Sequence, residues 1–360
     1  MGLKAERVAK WAVGEPQAPV RIELHPTNKC NLKCRFCWQS TVKEIDTSTE
    51  LSDEKLYSIV REAAEIGVKE WIISGGGEPL VRRNATMNVF ELIKKNNMWG
   101  QLTTNGTLFR KEDVKKLVEI NWDQIQISID GPNSKIQDYL RNKKGGFANA
   151  VETARLFSKY KINLDKNQPY LGFNTVLNRL NYDKLDEMID LAYDVGFQLV
   201  YFEPIYGGYL TKERLTLNEE EKKELRYCAK KAKKRANRLR IDTNIDRFMQ
   251  TKLVDKSDFK HVVLRETENS FNHFISAPCY QPWYLLGIKA NGLAGCCSTF
   301  EVGEYIQDKT LKELWLSKTF NEIRNNMLNK NLPEYCSKCS VVVVMDNKDI
   351  RKSLKKNYEL

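Results

Sequence analysis

The chain has 360 residues, 41% hydrophobic and 29% charged, and its 58 Lys and Arg against 47 Asp and Glu give a formal charge of +11. That length supports a large α/β domain plus a smaller one, and no apolar run approaches the roughly 18 residues of a membrane helix. Much of the positive charge lies in the run Lys222 to Arg240, which reads as a solvated helix face, so nucleic acid is not an expected partner.

Met1–Ala12 has no apolar signal core, and the cysteines number nine. We expect reduced thiols in a cytoplasmic protein, not a disulfide framework. From Val20 onward, short β-branched runs alternate with amphipathic stretches, the pattern of parallel βα units. The predicted strands are Val20–Leu24, Glu70–Ser74, Gln101–Thr104, Gln124–Ser128, Gly172–Leu177 and Leu199–Pro204. Between them lie the predicted helices Asp53–Ala64, Met87–Asn96, Lys111–Ile120, Phe147–Tyr160 and Asn181–Val195. Right-handed crossovers curl such units into a partial (β/α)6 parallel barrel over residues 20–204, with its site in the loops after the strand C-termini. A full eight-unit barrel competes, but the alternation stops near Pro204. Residues 1–19 read as an extension and 205–278 as a bridging region, holding the basic helix with Cys228 on a buried face and a short strand at Arg240–Thr243. A small cysteine-rich β-hairpin/helix domain at 279–340 and a tail at 341–360 complete the chain.

Directly after the first strand come Cys30, Cys34 and Cys37, in Thr-Asn-Lys-Cys-Asn-Leu-Lys-Cys-Arg-Phe-Cys-Trp. This spacing lets one loop send each thiolate to a different iron of a [4Fe–4S] cube and leaves the fourth iron without a protein ligand. A zinc knuckle would need a fourth ligand close by, and the one near histidine, His25, precedes the triplet by five residues. After the second strand, Ser74-Gly75-Gly76-Gly77-Glu78-Pro79 is a turn whose glycines let a ligand approach the backbone. The fourth strand ends at Ser128-Ile129-Asp130-Gly131, where Ser128 and Asp130 share a face and can hydrogen-bond at the barrel mouth; a capped turn is the alternative. Arg141 suits bidentate contact with a carboxylate, although a solvated arginine reads the same. Asn174 and Glu203 are further mouth positions.

Cys279, Cys297, Cys336 and Cys339 can close a second site. The 17 residues between Cys279 and Cys297 accommodate a hairpin of Leu285–Ile288 and Leu293–Cys297 about Asn291-Gly292. Zinc competes with iron–sulfur here. Cys296 is spare, unless register swaps it with Cys297, and serves either packing or hydrogen-atom donation.

The Cys30–Cys37 segment, with Phe36 in the aromatic place, resembles the cluster loop of the radical S-adenosylmethionine superfamily. The resemblance implies a [4Fe–4S] cluster whose open iron binds S-adenosylmethionine, cleaved by one electron to a 5′-deoxyadenosyl radical. It also implies cofactor contacts at Phe36, Gly76, Gly77, Glu78, Ser128, Asp130 and Arg141. The run Cys279-Tyr-Gln-Pro-Trp, with Asn291-Gly292, Cys296-Cys297 and Leu-Pro-Glu-Tyr-Cys336-Ser-Lys-Cys339, resembles a SPASM/twitch auxiliary domain. That implies one auxiliary [4Fe–4S] cluster on Cys279, Cys297, Cys336 and Cys339, since full SPASM domains carry further cysteines after the close pair. A one-electron donor such as flavodoxin or ferredoxin is the implied partner. With only about 20 residues ahead of the first strand and no separate leader-binding domain among them, the expected substrate is a sugar-like or other small metabolite, oxidised or epimerised, with Glu203 and Cys296 as catalytic candidates. The alternatives are a peptide-modifying maturase and a non-catalytic iron–sulfur or zinc scaffold.

Overall fold

The computed structural model describes residues 2–205, 215–249, 270–297, 302–334, 336, 339 and 341–357, and the rest of the expected bridging region lies outside them. The chain forms two compact units. One comprises the described residues of Met1–Leu24, Leu51–Ile72 and Lys252–Leu360; the other comprises His25–Glu50 and the described residues of Ile73–Thr251. The strands are β1 (Arg21–Leu24), β2 (Glu70–Ile73), β3 (Trp99–Thr104), β4 (Gln124–Ser128), β5 (Tyr170–Leu177), β6 (Leu199–Pro204), β7 (Asp242–Thr243), β8 (Leu285–Ile288), β9 (Leu293–Gly295) and β10 (Glu304–Tyr305). This is the expected mixed α/β class, with mostly parallel pairing.

In the second unit β3 to β7 lie side by side in sequence order, every pair parallel. Residues alternate between faces with a period of two, and the two faces differ in kind. Leu102, Ile125, Ile127, Leu171, Phe173, Val200 and Phe202 are fully buried on one of them. Helices Lys111–Glu119, Gly146–Asn163 and Leu185–Asp194 supply further core through Val114, Leu117, Ala154, Phe157, Met188 and Ile189. Each of these side chains larger than alanine stabilises the fold by roughly 1.5–3 kcal/mol. The register puts Gln101, Thr103, Gln126, Ser128, Asn174, Tyr201 and Glu203 on the other face, and that face is polar.

The first unit runs β10-β9-β8-β1-β2, with β8 parallel to β1 and antiparallel to β9. The expected hairpin forms around Gly292, whose φ of 80° is a conformation glycine adopts freely. Pairing of β8 with β1, Arg21 against Leu285, joins segments far apart in the chain. Helix Asp53–Ile66 opens on Ser52, whose hydroxyl accepts from the Lys55 N–H at 3.2 Å, and closes on Gly67 at φ 87°. Helices that the sequence reading did not place include Leu3–Ala12, Ser134–Arg141 and Val341–Asn357, the last in the stretch expected as a tail. No helix among the described residues is long and apolar enough to cross a membrane.

Candidate active site

The loop after β1 carries Cys30, Cys34 and Cys37, and its shape comes from local bonds. The Cys37 N–H donates to the Cys34 carbonyl at 3.1 Å, and the Leu32 N–H to Cys30 Sγ at 3.5 Å. Its outer side docks on helix Ser134–Arg141. The Arg35 N–H donates to the Leu140 carbonyl at 2.9 Å, and its guanidinium lies 4.3 Å from the Tyr139 ring centre.

The Gly-Gly-Glu-Pro turn closes on the base of that loop. The Gly77 N–H donates to the Thr27 carbonyl at 2.9 Å and the Glu78 N–H to the Lys29 carbonyl at 3.0 Å, a short ladder that leaves no room for side chains. A Cβ on Gly76 would strike the Asn28 side chain, and one on Gly77 the backbone of Lys29 and Asn28. Gln39 ties the two segments, donating to the carbonyls of Asn28 at 2.6 Å and Gly76 at 2.5 Å.

Glu78 is only 3% exposed and is committed to the end of β3. Its carboxylate accepts from Thr104 Oγ1 at 2.6 Å and the Asn105 N–H at 2.7 Å. Burial pushes its pKa up, and these bonds work against that shift. Asn105 in turn donates to Asn31 of the cysteine loop at 2.8 Å, and Asn31 to Thr107 at 2.8 Å. Asn31 and Gln39 carry no signal in the sequence; Thr104 and Asn105 do, at the Asn-Gly turn that ends the third predicted strand, but their partner Glu78 across the site cannot be read from it.

Asp130 is wholly buried. Its carboxylate accepts from Arg141 Nε at 2.5 Å and the Val176 N–H at 2.8 Å, so it faces a cation and a backbone amide. Arg141 then reaches Cys34 Sγ at 3.8 Å, with Phe36 under its guanidinium at 5.1 Å. Burial opposes the arginine's charge, but Asp130 and Cys34 outweigh it and raise its pKa. Ser128 is buried beside Asn174 in the register, and the Asn174 Oδ1 is a buried acceptor with no hydrogen-bond partner. An orphaned acceptor on a polar sheet face is where a bound molecule's hydroxyl or amino group would be satisfied. Glu203 is half-buried at the end of β6 on the same face.

Burial raises the thiol pKa of all three cysteines, that of Cys34 to about 11, and each of the three feels the Arg141 charge pulling the other way. Among the described residues no group of three or more His, Cys, Asp or Glu closes to the spacing of a single metal ion, yet the thiols are near enough to influence one another. A desolvated set of soft donors beside a fixed cation suits an anionic iron–sulfur cluster. Cys30, Cys34 and Cys37 would hold it, and Arg141 and Asn174 would meet its cofactor.

In the other unit Cys279 and Cys336 pack against an apolar core that includes Ile275, Tyr280, Trp283 and Tyr284. Burial drives Cys279 to about 11 and Cys336 to about 12, and Cys296 well above the ordinary thiol value. Cys297 and Cys339 are half-buried, as is Cys228 on the basic helix Glu219–Leu239. Near Cys296 is a buried cation, Arg324, which donates to the carbonyls of Pro282 at 3.0 Å and Trp315 at 2.9 Å under the Trp11 and Trp315 rings. This dry, cysteine-rich pocket fits an auxiliary cluster. Cys296, only 3% exposed, is placed for packing. Cys296→Ala is expected to keep the auxiliary iron and to lower unfolding stability by about 1 kcal/mol, read by iron analysis and denaturant titration; loss of the cluster would make Cys296 the ligand in place of Cys297.

Comparison with known proteins agrees with this geometry. Residues 24–192 match the Radical SAM superfamily and residues 279–340 the iron–sulfur cluster-binding domain called SPASM. The chain is 29% identical to the sporulation killing factor maturation protein SkfB of Bacillus subtilis, over 49% of this chain and 40% of that protein. It is 27% identical to the Fe-coproporphyrin III synthase of Methanosarcina barkeri, over 54% of this chain and 47% of that one, so it spans about half the length of these two relatives. With a PqqA peptide cyclase of Gluconobacter oxydans it shares 24% identity over 90% of this chain and 83% of the relative. Its fold resembles Streptococcus suis SuiB bound to the precursor peptide SuiA, with a TM-score of 0.66 and 17% identity over 94% of this chain and 74% of that one. The chain therefore belongs to the radical S-adenosylmethionine superfamily, whose members use a [4Fe–4S] cluster with S-adenosylmethionine, and it carries a C-terminal SPASM domain of the auxiliary iron–sulfur kind.

Proposed function

We propose that this chain is a peptide-modifying radical S-adenosylmethionine enzyme. The observation that carries the reading is the match to a peptide cyclase along nearly the whole chain. It favours the peptide alternative over the sugar-like metabolite that the short N-terminal extension suggested. The polar face of β3 to β6 is consistent with it, because the carboxamides of Gln101 and Gln126 can both donate to and accept from an amide backbone.

When bound, the cluster and S-adenosylmethionine supply a 5′-deoxyadenosyl radical that abstracts a substrate hydrogen atom. The chain's own residues do the holding. Arg141, aimed by Asp130, would meet the cofactor carboxylate, the backbone at Gly76 and Gly77 would receive its amino group, and Ser128 and Asn174 would lie toward its ribose. Glu203, at the far end of the polar face, contacts the peptide. An auxiliary cluster held by Cys279, Cys297, Cys336 and Cys339 would supply a one-electron acceptor, in keeping with a net oxidation, and a carrier such as flavodoxin or ferredoxin would be the source of the reducing electron.

The test is label transfer. Reduced holoenzyme is incubated with deuterated precursor-type peptides, a deuterated sugar panel and deuterated coproporphyrin, and 5′-deoxyadenosine is analysed by mass spectrometry. Deuterium arriving from peptide alone is the expected result. Transfer from a sugar or porphyrin with none from any peptide overturns the proposal, and a relative that is an Fe-coproporphyrin III synthase makes the porphyrin arm a necessary control.

A further inference from the structure

Helix Val341–Asn357 follows the segment matched to the iron–sulfur domain and contains no cysteine, yet it is built onto Cys279. Asn347 is buried on it, 3% exposed. Its Oδ1 accepts from the Tyr280 N–H at 2.8 Å, and its Nδ2 lies 3.4 Å from Cys279 Sγ. The orientation of the amide follows from chemistry. A backbone N–H can only donate, so the carboxamide oxygen faces Tyr280 and the NH2 is left for the sulfur. The Gln281 N–H is a second donor to the same sulfur, at 3.4 Å.

One turn further on, Arg351 holds the approach to Cys279. Its guanidinium donates to the Ile275 carbonyl at 3.1 Å and the Ala277 carbonyl at 2.7 Å, and sits 5.5 Å from the Tyr280 ring centre. Ile350 and Leu354, on the same helix, are rooted in the core with Ala5 and Val8. The helix therefore grips the cysteine's chain from both sides and points one amide donor at its sulfur.

We propose that Asn347 is a positioning residue of the auxiliary cluster: it hydrogen-bonds the Cys279 sulfur and, with the positive charge of Arg351 nearby, makes that cluster easier to reduce. Reduction adds negative charge shared by the ligating sulfurs, and an N–H aimed at one of them stabilises the reduced form more than the oxidised form. The proposal goes beyond the substrate reading and stands whichever molecule is modified.

The experiment is a redox titration of the anaerobic holoenzyme and its Asn347→Leu and Asn347→Asp variants, with both clusters followed by EPR. Leucine fills similar volume without a donor; aspartate keeps the acceptor for Tyr280 but turns a carboxylate toward the sulfur. At a fixed potential the reduced-to-oxidised ratio of the auxiliary cluster is expected to fall several-fold in Asn347→Leu and further in Asn347→Asp, approaching tenfold, or about 59 mV for a one-electron couple. The N-terminal cluster is expected to be unchanged. An unmoved auxiliary potential, or an equal shift of both clusters, overturns the proposal. Should Asn347→Leu fail to hold auxiliary iron, wild-type protein carrying 15N-asparagine decides the matter by pulsed EPR: a nitrogen coupling on the reduced auxiliary cluster supports the bond, and its absence refutes it.

Discussion

Gly77→Ala is expected to abolish iron loading at the N-terminal cysteines and lower 5′-deoxyadenosine formation by at least about a hundredfold, an effect on the order of 3 kcal/mol. The cause is steric. The added Cβ would lie 2.6 Å from the Asn28 carbonyl carbon and well inside van der Waals contact with the Lys29 carbonyl, atoms of the backbone that no rotamer change can move. To make room, segment 27–29 must retreat, breaking the Gly77–Thr27 and Glu78–Lys29 bonds and drawing Cys30 away with it. Overpacking alone costs about 1–3 kcal/mol, and two lost hydrogen bonds add about 1–3 kcal/mol. Gly145→Ala is the control. Gly145 has φ 76° and nothing within 4 Å of its Cβ position, so alanine there is strained but displaces nothing. It is expected to cost about 1–2 kcal/mol of stability with iron content and 5′-deoxyadenosine yield intact. Equal loss of iron in both variants would show that close approach of the turn to the cysteine loop is not what matters.

How far the sequence went depends on whether a feature is local. β4 and β6 have the expected limits because alternating Ile125 and Ile127, or Val200 and Phe202, run into Asp-Gly and Pro signals within a few residues. β3 begins earlier than expected, at Trp99. Gly100 reads as a strand breaker, but here the Trp122 ring occupies the space its side chain would need, a tertiary reason invisible along the chain. Helix Ser134–Arg141 is short and polar, and its start signal, Asn133 accepting from the Ile136 N–H at 3.2 Å, is one residue type among many turn formers. The cysteine triplet and the glycine turn stood out because their residue types are rare in that spacing. The parallel pairing of β1 with β8 left no trace in periodicity, since register between distant segments is decided by packing. Asp130 and Arg141 were each picked as cofactor contacts, and what went unseen was that one acts through the other.

That dependence gives the second large effect. Asp130→Ala is expected to destabilise the fold by about 3–5 kcal/mol, because it leaves the Arg141 guanidinium buried without its counter-ion. Asp130→Asn is the more informative change. The asparagine side-chain oxygen can still accept from the Val176 N–H, while the charge that holds Arg141 is gone. The main-chain anchors of residue 130, its N–H donating to Gln137 at 2.7 Å and its carbonyl accepting from Asn181 at 2.8 Å, are untouched, so the strand end keeps its place. Arg141 alone is then released from its aim, between Cys34 Sγ at 3.8 Å and the Phe36 ring. The KM for S-adenosylmethionine is expected to rise roughly tenfold to a hundredfold, the scale of about 1.4–2.7 kcal/mol for one charge-assisted contact, with a smaller fall in kcat and a loss of stability smaller than that of Asp130→Ala, because the Val176 bond is kept. Arg141→Lys would reproduce the KM defect, since an ammonium cannot hold Asp130 and a carboxylate in one planar fork. A wild-type KM in Asp130→Asn, with iron content intact, would mean that Asp130 supports the fold alone and that Arg141 finds its position without it.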